Sequence, residues 1–284
     1  MEISKKIKLL DFNLTKSLGD SFFWLYKSNF KWTWINFIEH KEYNFWDPLK
    51  NIDWKASSKT DKIYTKIFEE ERELKVLFLI DINKNINFWV FEKSKKDILE
   101  EIFFLLSNTS NISWDSIGVL LYDWEENIFL PFKKWFWNIF KVISILEEGK
   151  NFKNINEERT KKVITYLNKI ALNNTLIFVI SDDINLGIEK DIKLLWFKNE
   201  IIYLNIFDHF ENNLSNIWVD LTLNSTNSFL NISLKDTKKI ESYKKTRFDK
   251  INRFWDLLIK TWIKYKYLDT KSDIYRELFL FFKR

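Results

Sequence analysis

The chain has 284 residues, 46% hydrophobic and 30% charged, enough for one large or two small domains with a sizeable core. It has no cysteine, which excludes disulfides and thiolate metal sites, and only two histidines, His40 and His209, which argues against a His-based zinc site or a Ser-His-Asp triad. Its net charge of +5, from 45 basic and 40 acidic residues, is small and interspersed, and fits a solvated surface better than a nucleic-acid stripe.

Residues 1–73 read as a lead-in segment of short apolar pieces and polar turns. Its first eight residues are basic, but no apolar stretch follows them as in a signal peptide. No run in the chain approaches the ~18 apolar residues of a membrane span. The expectation is a cytoplasmic protein with no anchor.

The pattern changes at residue 74. Residues 74–80, LKVLFLI, form a continuous apolar run ending in Asp81, the signal of a buried strand. Residues 94–106 carry Ile98, Ile102 and Leu105 at helical spacing, with a charged opposite face. Strands are expected at 117–122 and, briefly, at 128–130, where Pro131 ends the run. Residues 138–146 and 157–172 read as helices, and 175–180, TLIFVI, as another buried strand leading into Ser181, Asp182 and Asp183. A helix at 188–197 precedes a strand at 201–207 that ends in Asp208. A weakly alternating hairpin at 218–234, a long helix at 237–262, a strand at 264–268 and a helix at 272–283 close the chain. Strands alternating with helices predict an α/β fold, a doubly wound, mainly parallel sheet over 74–284 with helices on both faces. Five to six strands are expected, with 74–80 central between 117–122 and 175–180. The acidic strand ends Asp81, Asp182 and Asp208 fall at one sheet edge, where open α/β sheets place ligands.

Residues 42–81 read EYNFWDPLKNIDWKASSKTDKIYTKIFEEERELKVLFLID. This stretch resembles the family called domain of unknown function 58, whose members carry a von Willebrand factor A-like domain. The family pattern is roughly R-E-Y-x-x-G-D-D-x-R-x-I-D-W-K, then an E-x-E-R-E stretch, then a strand ending D-x-S-x-S. Lys41, Glu42 and Tyr43 match R-E-Y with Lys for Arg, Trp46, Asp47 and Pro48 occupy G-D-D, Lys50 stands for Arg, and Ile52, Asp53, Trp54 and Lys55 match I-D-W-K. The closing segment, residues 269–284, is also similar. The motif residues Glu42, Tyr43, Asp47, Lys50, Ile52, Asp53, Trp54 and Lys55 are expected to be structural, a lock between the lead-in segment and the sheet. A binding surface, or a basic cluster at Lys50, Lys55 and Lys59, is the weaker reading.

The chain has fourteen tryptophans and only four glycines, where typical usage near 7% would give about twenty glycines. Trp32, Trp34, Trp46, Trp114, Trp124 and Trp135 lie among polar residues in segments that read as turns, which suit glycine and not a bulky ring. The resemblance sharpens this: Trp24, Trp32, Trp34, Trp46, Trp89, Trp114, Trp135 and Trp218 fall where the family usually has glycine. The pattern predicts a gene whose UGA codons are read as glycine in its own cell, with an exposed aromatic patch as the alternative. Trp54, which the family pattern expects, should be buried.

The resemblance also implies a metal-ion-dependent adhesion site, with ligands from D-x-S-x-S, a Thr on a second loop and an Asp at a third strand end. Mg²⁺ requires about six oxygens in a near-octahedral shell. Here the first loop is Asp81-Ile82-Asn83-Lys84-Asn85, with both hydroxyls replaced by amides, and Asp182 fits the third position. The Thr is sought within 156–160. The candidate metal set is therefore Asp81, Asn83, Asn85 and Asp182, with Mg²⁺ as cofactor. The alternative is a degenerate site whose Asn side chains hold the turn. Asp81, Asn83, Asn85 and Glu92 also have EF-hand spacing, but Ile86 holds the glycine position and a strand precedes the loop.

By resemblance the chain is a non-enzymatic protein-interaction module. It is expected to act with a MoxR-type AAA ATPase in assembly or maturation of other proteins, with protein clients and no nucleic acid. The alternative is a metal-dependent hydrolase or phosphotransferase using Asp81 and Asp182, for which the sequence shows no base, nucleophile or phosphate loop.

Overall fold

The computed structural model describes residues 37–47, 49, 52–60, 62–68, 74–83, 86, 93–123, 127–134, 137–147, 159–170, 172–212, 221–225, 228–232 and 237–283. Cα packing divides the chain into two compact units, Met1–Glu73 and Leu74–Arg284.

In the first unit, β1 (Phe37–Glu42) and β2 (Tyr64–Phe68) pair antiparallel, with Glu42 opposite Tyr64. Between them lies one helical turn, α1 (Trp54–Ser57). Asp53 starts it: its Oδ1 accepts the backbone N–H groups of Lys55 and Ala56 at 3.0 Å each, satisfying donors that a helix start leaves open. The turn is tied to β2, because Asp53 N–H donates to the Tyr64 carbonyl at 2.8 Å and Tyr64 N–H donates to Ser57 Oγ at 2.8 Å.

The second unit is built on six strands: β3 (Lys75–Asp81), β4 (Ser116–Tyr122), β5 (Asn127–Lys133), β6 (Thr175–Ser181), β7 (Glu200–Phe207) and β10 (Lys264–Asp269). Their order is β10-β7-β6-β3-β4-β5, and every pairing is parallel except β4 with β5. β3 is central because Val76 to Ile80 are fully buried on both pleat faces, as the unbroken apolar run requires. A separate antiparallel pair, β8 (Leu221–Ser225) and β9 (Ser228–Ile232), forms the hairpin.

The pleat sends alternate residues to opposite faces. Leu77, Leu79, Ile177, Val179 and Tyr203 share one core with α4 (Arg159–Ile170), α5 (Glu189–Lys198) and α7 (Thr237–Lys260), through Val163, Ile164, Ile192, Leu195, Phe254 and Leu258. On the other face, Phe78 stacks on Phe178 at 5.3 Å and meets Phe103 of α2 (Lys95–Ile112) edge-on at 5.0 Å. α8 (Ile274–Lys283) contacts α2 on that side. α3 (Trp137–Glu147) packs on β4 and β5, and α6 (His209–Asn212) follows β7. The doubly wound, mainly parallel sheet with helices on both faces is thus the observed architecture.

Three of the boundary differences from the sequence reading have a local cause. α2 runs to Ile112 and not to 106, and starts in a capping box in which Ser94 and Asp97 bond reciprocally. Pro131 does not end β5, which continues to Lys133. β5 is the last strand of the sheet, and its register shifts opposite the Ile117–Val119 step, so a missing N–H is tolerated there. The long helix stops at Lys260, where Trp262 takes a left-handed φ of 56°.

Candidate functional site

β3 and β6 run parallel with Ile80 opposite Ile180. Their ends therefore deliver Asp81, Ser181 and Asp182 to the same carboxyl edge. Asp81 is 2% exposed and Asn83 is 1% exposed. Asn83 Nδ2 donates to Asp81 Oδ1 at 3.1 Å and to Asp182 Oδ1 at 2.7 Å, so one amide bridges both carboxylates. Ser181 Oγ donates to Asp81 Oδ2 at 2.7 Å.

Two cations complete the cluster, each the first residue of a helix. Arg159, at the start of α4, donates from Nε to Asp81 Oδ1 at 2.9 Å and Oδ2 at 3.0 Å, and from Nη2 to Oδ2 at 2.9 Å. The same Nη2 lies 3.4 Å from Asp182 Oδ1. Lys95, at the start of α2, donates from Nζ to Asp182 Oδ2 at 3.2 Å and to Glu211 of α6. Arg247 of α7 donates to the other Glu211 oxygen at 2.6 Å. The Arg159 and Lys95 side chains are 2% and 3% exposed. Charges this deep persist only when paired and hydrogen-bonded.

The titration of these groups follows from burial and pairing. Burial pushes the Asp81 carboxyl up, against the pull of Arg159. Burial also works against the charge on Asp182, but Lys95 and then Arg159 outweigh it and hold that carboxyl below its ordinary value. For Lys95, burial opposes the ammonium, yet Glu211 and Asp182 lift its pKa above the usual lysine range. Asp183 goes the other way. Burial raises it to about 7, although Arg159 opposes the shift. Thr160 Oγ1 donates to Asp183 Oδ2 at 3.2 Å.

Of the candidate metal set, Asp81, Asn83 and Asp182 are brought together, and Asn85 lies outside the described residues, as does Glu92. Thr160, within the segment where a Thr was sought, is fully buried beside them. Asp208 is buried at the end of β7, and its carbonyl accepts the Glu211 N–H at 2.9 Å. The sequence reading missed Arg159, Lys95, Glu211 and Arg247. The one available signal was an Arg directly before that Thr.

The oxygens that Mg²⁺ would use are already taken. Both Asp81 oxygens face Arg159, and both Asp182 oxygens face donors from Asn83, Arg159 and Lys95. Asn83 turns its NH₂ end to the two carboxylates, the only end that satisfies them. A six-oxygen shell cannot form around a buried guanidinium. Among the described residues no group of three or more His, Asp or Glu is arranged to hold a metal ion. The described residues, with Asp81 and Asp182 bonded to Arg159, Lys95 and Asn83, do not fit the ion that the resemblance implies.

The model of the family described as Protein of unknown function DUF58 matches residues 39–251. The chain belongs to this family. No curated protein matches it. Among solved structures it is similar to the VWA domain of SpRpn10, a crystal structure, with a TM-score of 0.41 and 10% identity, over 73% of this chain and 94% of that one.

The motif that carried the DUF58 resemblance is occupied within the first unit. Lys41 Nζ donates to Asp47 Oδ1 at 2.7 Å, and Asn44 N–H to Asp47 Oδ2 at 2.9 Å. Glu42 pairs with Lys62. Tyr43 N–H donates to the Ile63 carbonyl at 2.8 Å. Ile52 is buried and bridges to Thr65, and Asp53 also meets His40 Nε2 at 3.0 Å. Lys55 lies in the turn that Asp53 caps, and Lys50 is outside the described residues. Trp54 corrects an expectation: it is 69% exposed and not buried, since it opens a single helical turn with no buried residue.

Of the tryptophans that fall at family glycine positions, Trp46 is 90% exposed in a turn and Trp114 is 65% exposed with φ 61°. Trp24, Trp32, Trp34, Trp89, Trp135 and Trp218 lie outside the described residues, as does Trp124.

Proposed function

We propose that this DUF58 chain is a non-enzymatic protein-interaction module that works beside a MoxR-type AAA ATPase in the assembly or maturation of protein clients. One observation carries the reading. At the carboxyl edge of the sheet, where a ligand would sit, Asp81, Asp182 and Glu211 are met by Arg159, Lys95 and Arg247. Asp81 and Asp182 are tied to Arg159, Lys95 and Asn83, so neither is placed as a base, nucleophile or metal ligand. Such an edge suits recognition by shape and surface loops. The proposed setting is the cytoplasm, and among the described residues no helix is long and apolar enough to cross a membrane. The test is direct mixing of the purified chain with the MoxR-type ATPase of the same genome, read by calorimetry and by ATP turnover. A complex, or a changed ATPase rate, is expected. No complex at tens of micromolar, or Mg²⁺-dependent phosphate release by the chain alone, would overturn the reading.

We also infer that UGA codons in the gene are read as glycine by its own cell, so that the cell's protein carries glycine where this chain carries tryptophan. Three described non-glycine residues have positive φ: Asn174, Trp114 and Trp262. Asn tolerates that region; Trp does not. Both tryptophans hold the same place in a Schellman cap. After α2, Trp114 N–H donates to the Asn111 carbonyl at 3.1 Å and Asp115 N–H to Ser110 at 3.0 Å. After α7, Trp262 N–H donates to Ile259 at 3.0 Å and Ile263 N–H to Leu258 at 3.0 Å. That position is glycine's by default. Trp262 is 80% exposed, so its ring offers no burial in return. Sequencing the gene decides the matter: UGA is expected at 114 and 262, and UGG at Trp54 and at the packed Trp255. UGG at both caps would sink the inference.

A further inference from the structure

The folded edge holds two cations of its own. Arg159 faces Asp81 along both carboxylate oxygens and reaches Asp182, while Lys95 closes the far side of Asp182 and also pairs with Glu211. Asp81 and Asp182 are the two carboxylates that would be left for a divalent ion once the hydroxyls of an adhesion site are gone. They come from different strands, β3 and β6, and the groups that join them are Asn83 and Arg159. Like charges this close in a buried setting need a countercharge between them, and a guanidinium fork supplies it with directed bonds.

We propose that Arg159, assisted by Lys95, stands where a divalent cation sits in a metal-dependent adhesion site, so that this edge is assembled by the chain's own charges and is independent of metal. Lys95 follows the N-cap of α2, and Arg159 is the first described residue of α4. Folding therefore delivers them there, and the loop geometry does not depend on an ion that comes and goes. The amide at Asn83 fits the same design. A Ser hydroxyl can turn a lone pair toward a metal, whereas here the NH₂ group is needed to bridge two anions. The inference concerns the same edge as the proposed function but holds whatever the partner is. Failure to bind an ATPase would leave it standing, and metal binding would overturn it whether or not an ATPase is bound.

The test uses the full chain with MgCl₂ and MnCl₂ as probes, read by calorimetry and thermal unfolding. For the unsubstituted chain, no saturable heat is expected and the same melting temperature in EDTA as in millimolar Mg²⁺ or Mn²⁺. Arg159→Ala removes the guanidinium and leaves Asp81, Asp182 and Ser181 converging on the vacated volume. It should melt lower in EDTA and gain a melting-temperature rise in Mn²⁺ that the unsubstituted chain lacks. Adding Asp81→Asn to it should abolish that gain. Arg159→Lys keeps a cation and should stay silent to both metals, and it decides the matter if the alanine variant does not fold. Saturable Mg²⁺ or Mn²⁺ binding by the unsubstituted chain would overturn the proposal. So would a folded Arg159→Ala that ignores Mn²⁺, or an Arg159→Lys that responds to it.

Discussion

Replacing a large aromatic residue by glycine ordinarily destabilises a protein, yet at the two helix ends described above the opposite is expected. The perturbation is Trp114→Gly, Trp262→Gly and the pair. A non-glycine residue in the left-handed region costs about 1–2 kcal/mol, and φ is 61° and 56° at these sites. Against that, a new glycine adds unfolded-state entropy worth about 0.4–1 kcal/mol. The rings contribute little burial, being 65% and 80% exposed. The backbone bonds of each Schellman cap survive, because they need no side chain. The net gain is roughly 0.5–1 kcal/mol per site. The caps end different helices, so the pair should add to about 1–2 kcal/mol. For a unit of this size that raises Tm by about 2–8 °C, which differential scanning calorimetry resolves. Trp255→Gly is the control: that ring packs against the core and stacks on Tyr265 at 5.7 Å, so its loss should lower Tm. If both cap variants melt below the parent, the reasoning from backbone conformation is wrong.

Asp81→Asn removes the carboxylate that meets the buried Arg159 guanidinium along both oxygens, and should cost about 3–5 kcal/mol in urea unfolding; a loss below 1 kcal/mol would contradict the pairing described. Asp183 has a folded pKa of about 7 against an ordinary 3.8. The native state thus holds a proton that the unfolded state has lost, and the stability contribution present below pH ~4 is lost as pH rises to ~7. Asp183→Asn should remove that decline, at most about 1.4 kcal/mol per pH unit, and become more stable than the parent near pH 8 while matching it near pH 4; parallel profiles would refute this. Ser94→Ala breaks the capping box of α2 and should lower stability by about 1 kcal/mol, seen as a reduced urea midpoint at unchanged m-value.

The core of the fold was legible because its strands are buried on both faces. An unbroken run such as 74–80 or 175–180 admits few other environments, and the capping pair Ser94 and Asp97 is a local signal. The carboxylates were legible for the same reason, since they end those runs. The cations were not. Arg159 follows Glu157 and Glu158 and opens an amphipathic helix, which is how a solvated face also begins. Its partner lies 78 residues away, and a pairing over that distance leaves no periodic trace. Lys95 was read as part of the charged side of α2, and only the fold shows that this end of the helix points at the sheet edge. Trp262 was missed because the long helical pattern ran through it without a break.

The outermost strands of the second unit narrow the ways another protein can engage it. Peptides often bind α/β domains by adding a strand to an open sheet edge. On β5 the residue Pro131 has no N–H to offer a newcomer, and the register shift nearby disturbs the spacing that an added strand would follow. At the other end, β10 carries Lys264 and Lys266, each held in an ion pair, to Glu200 and Glu277, and edge lysines discourage such zippering. Two copies of the second unit are therefore poorly suited to join through the ends of this six-stranded sheet. A partner of the proposed kind is left side-chain contacts with loops and helix ends, which can vary without disturbing the strands beneath.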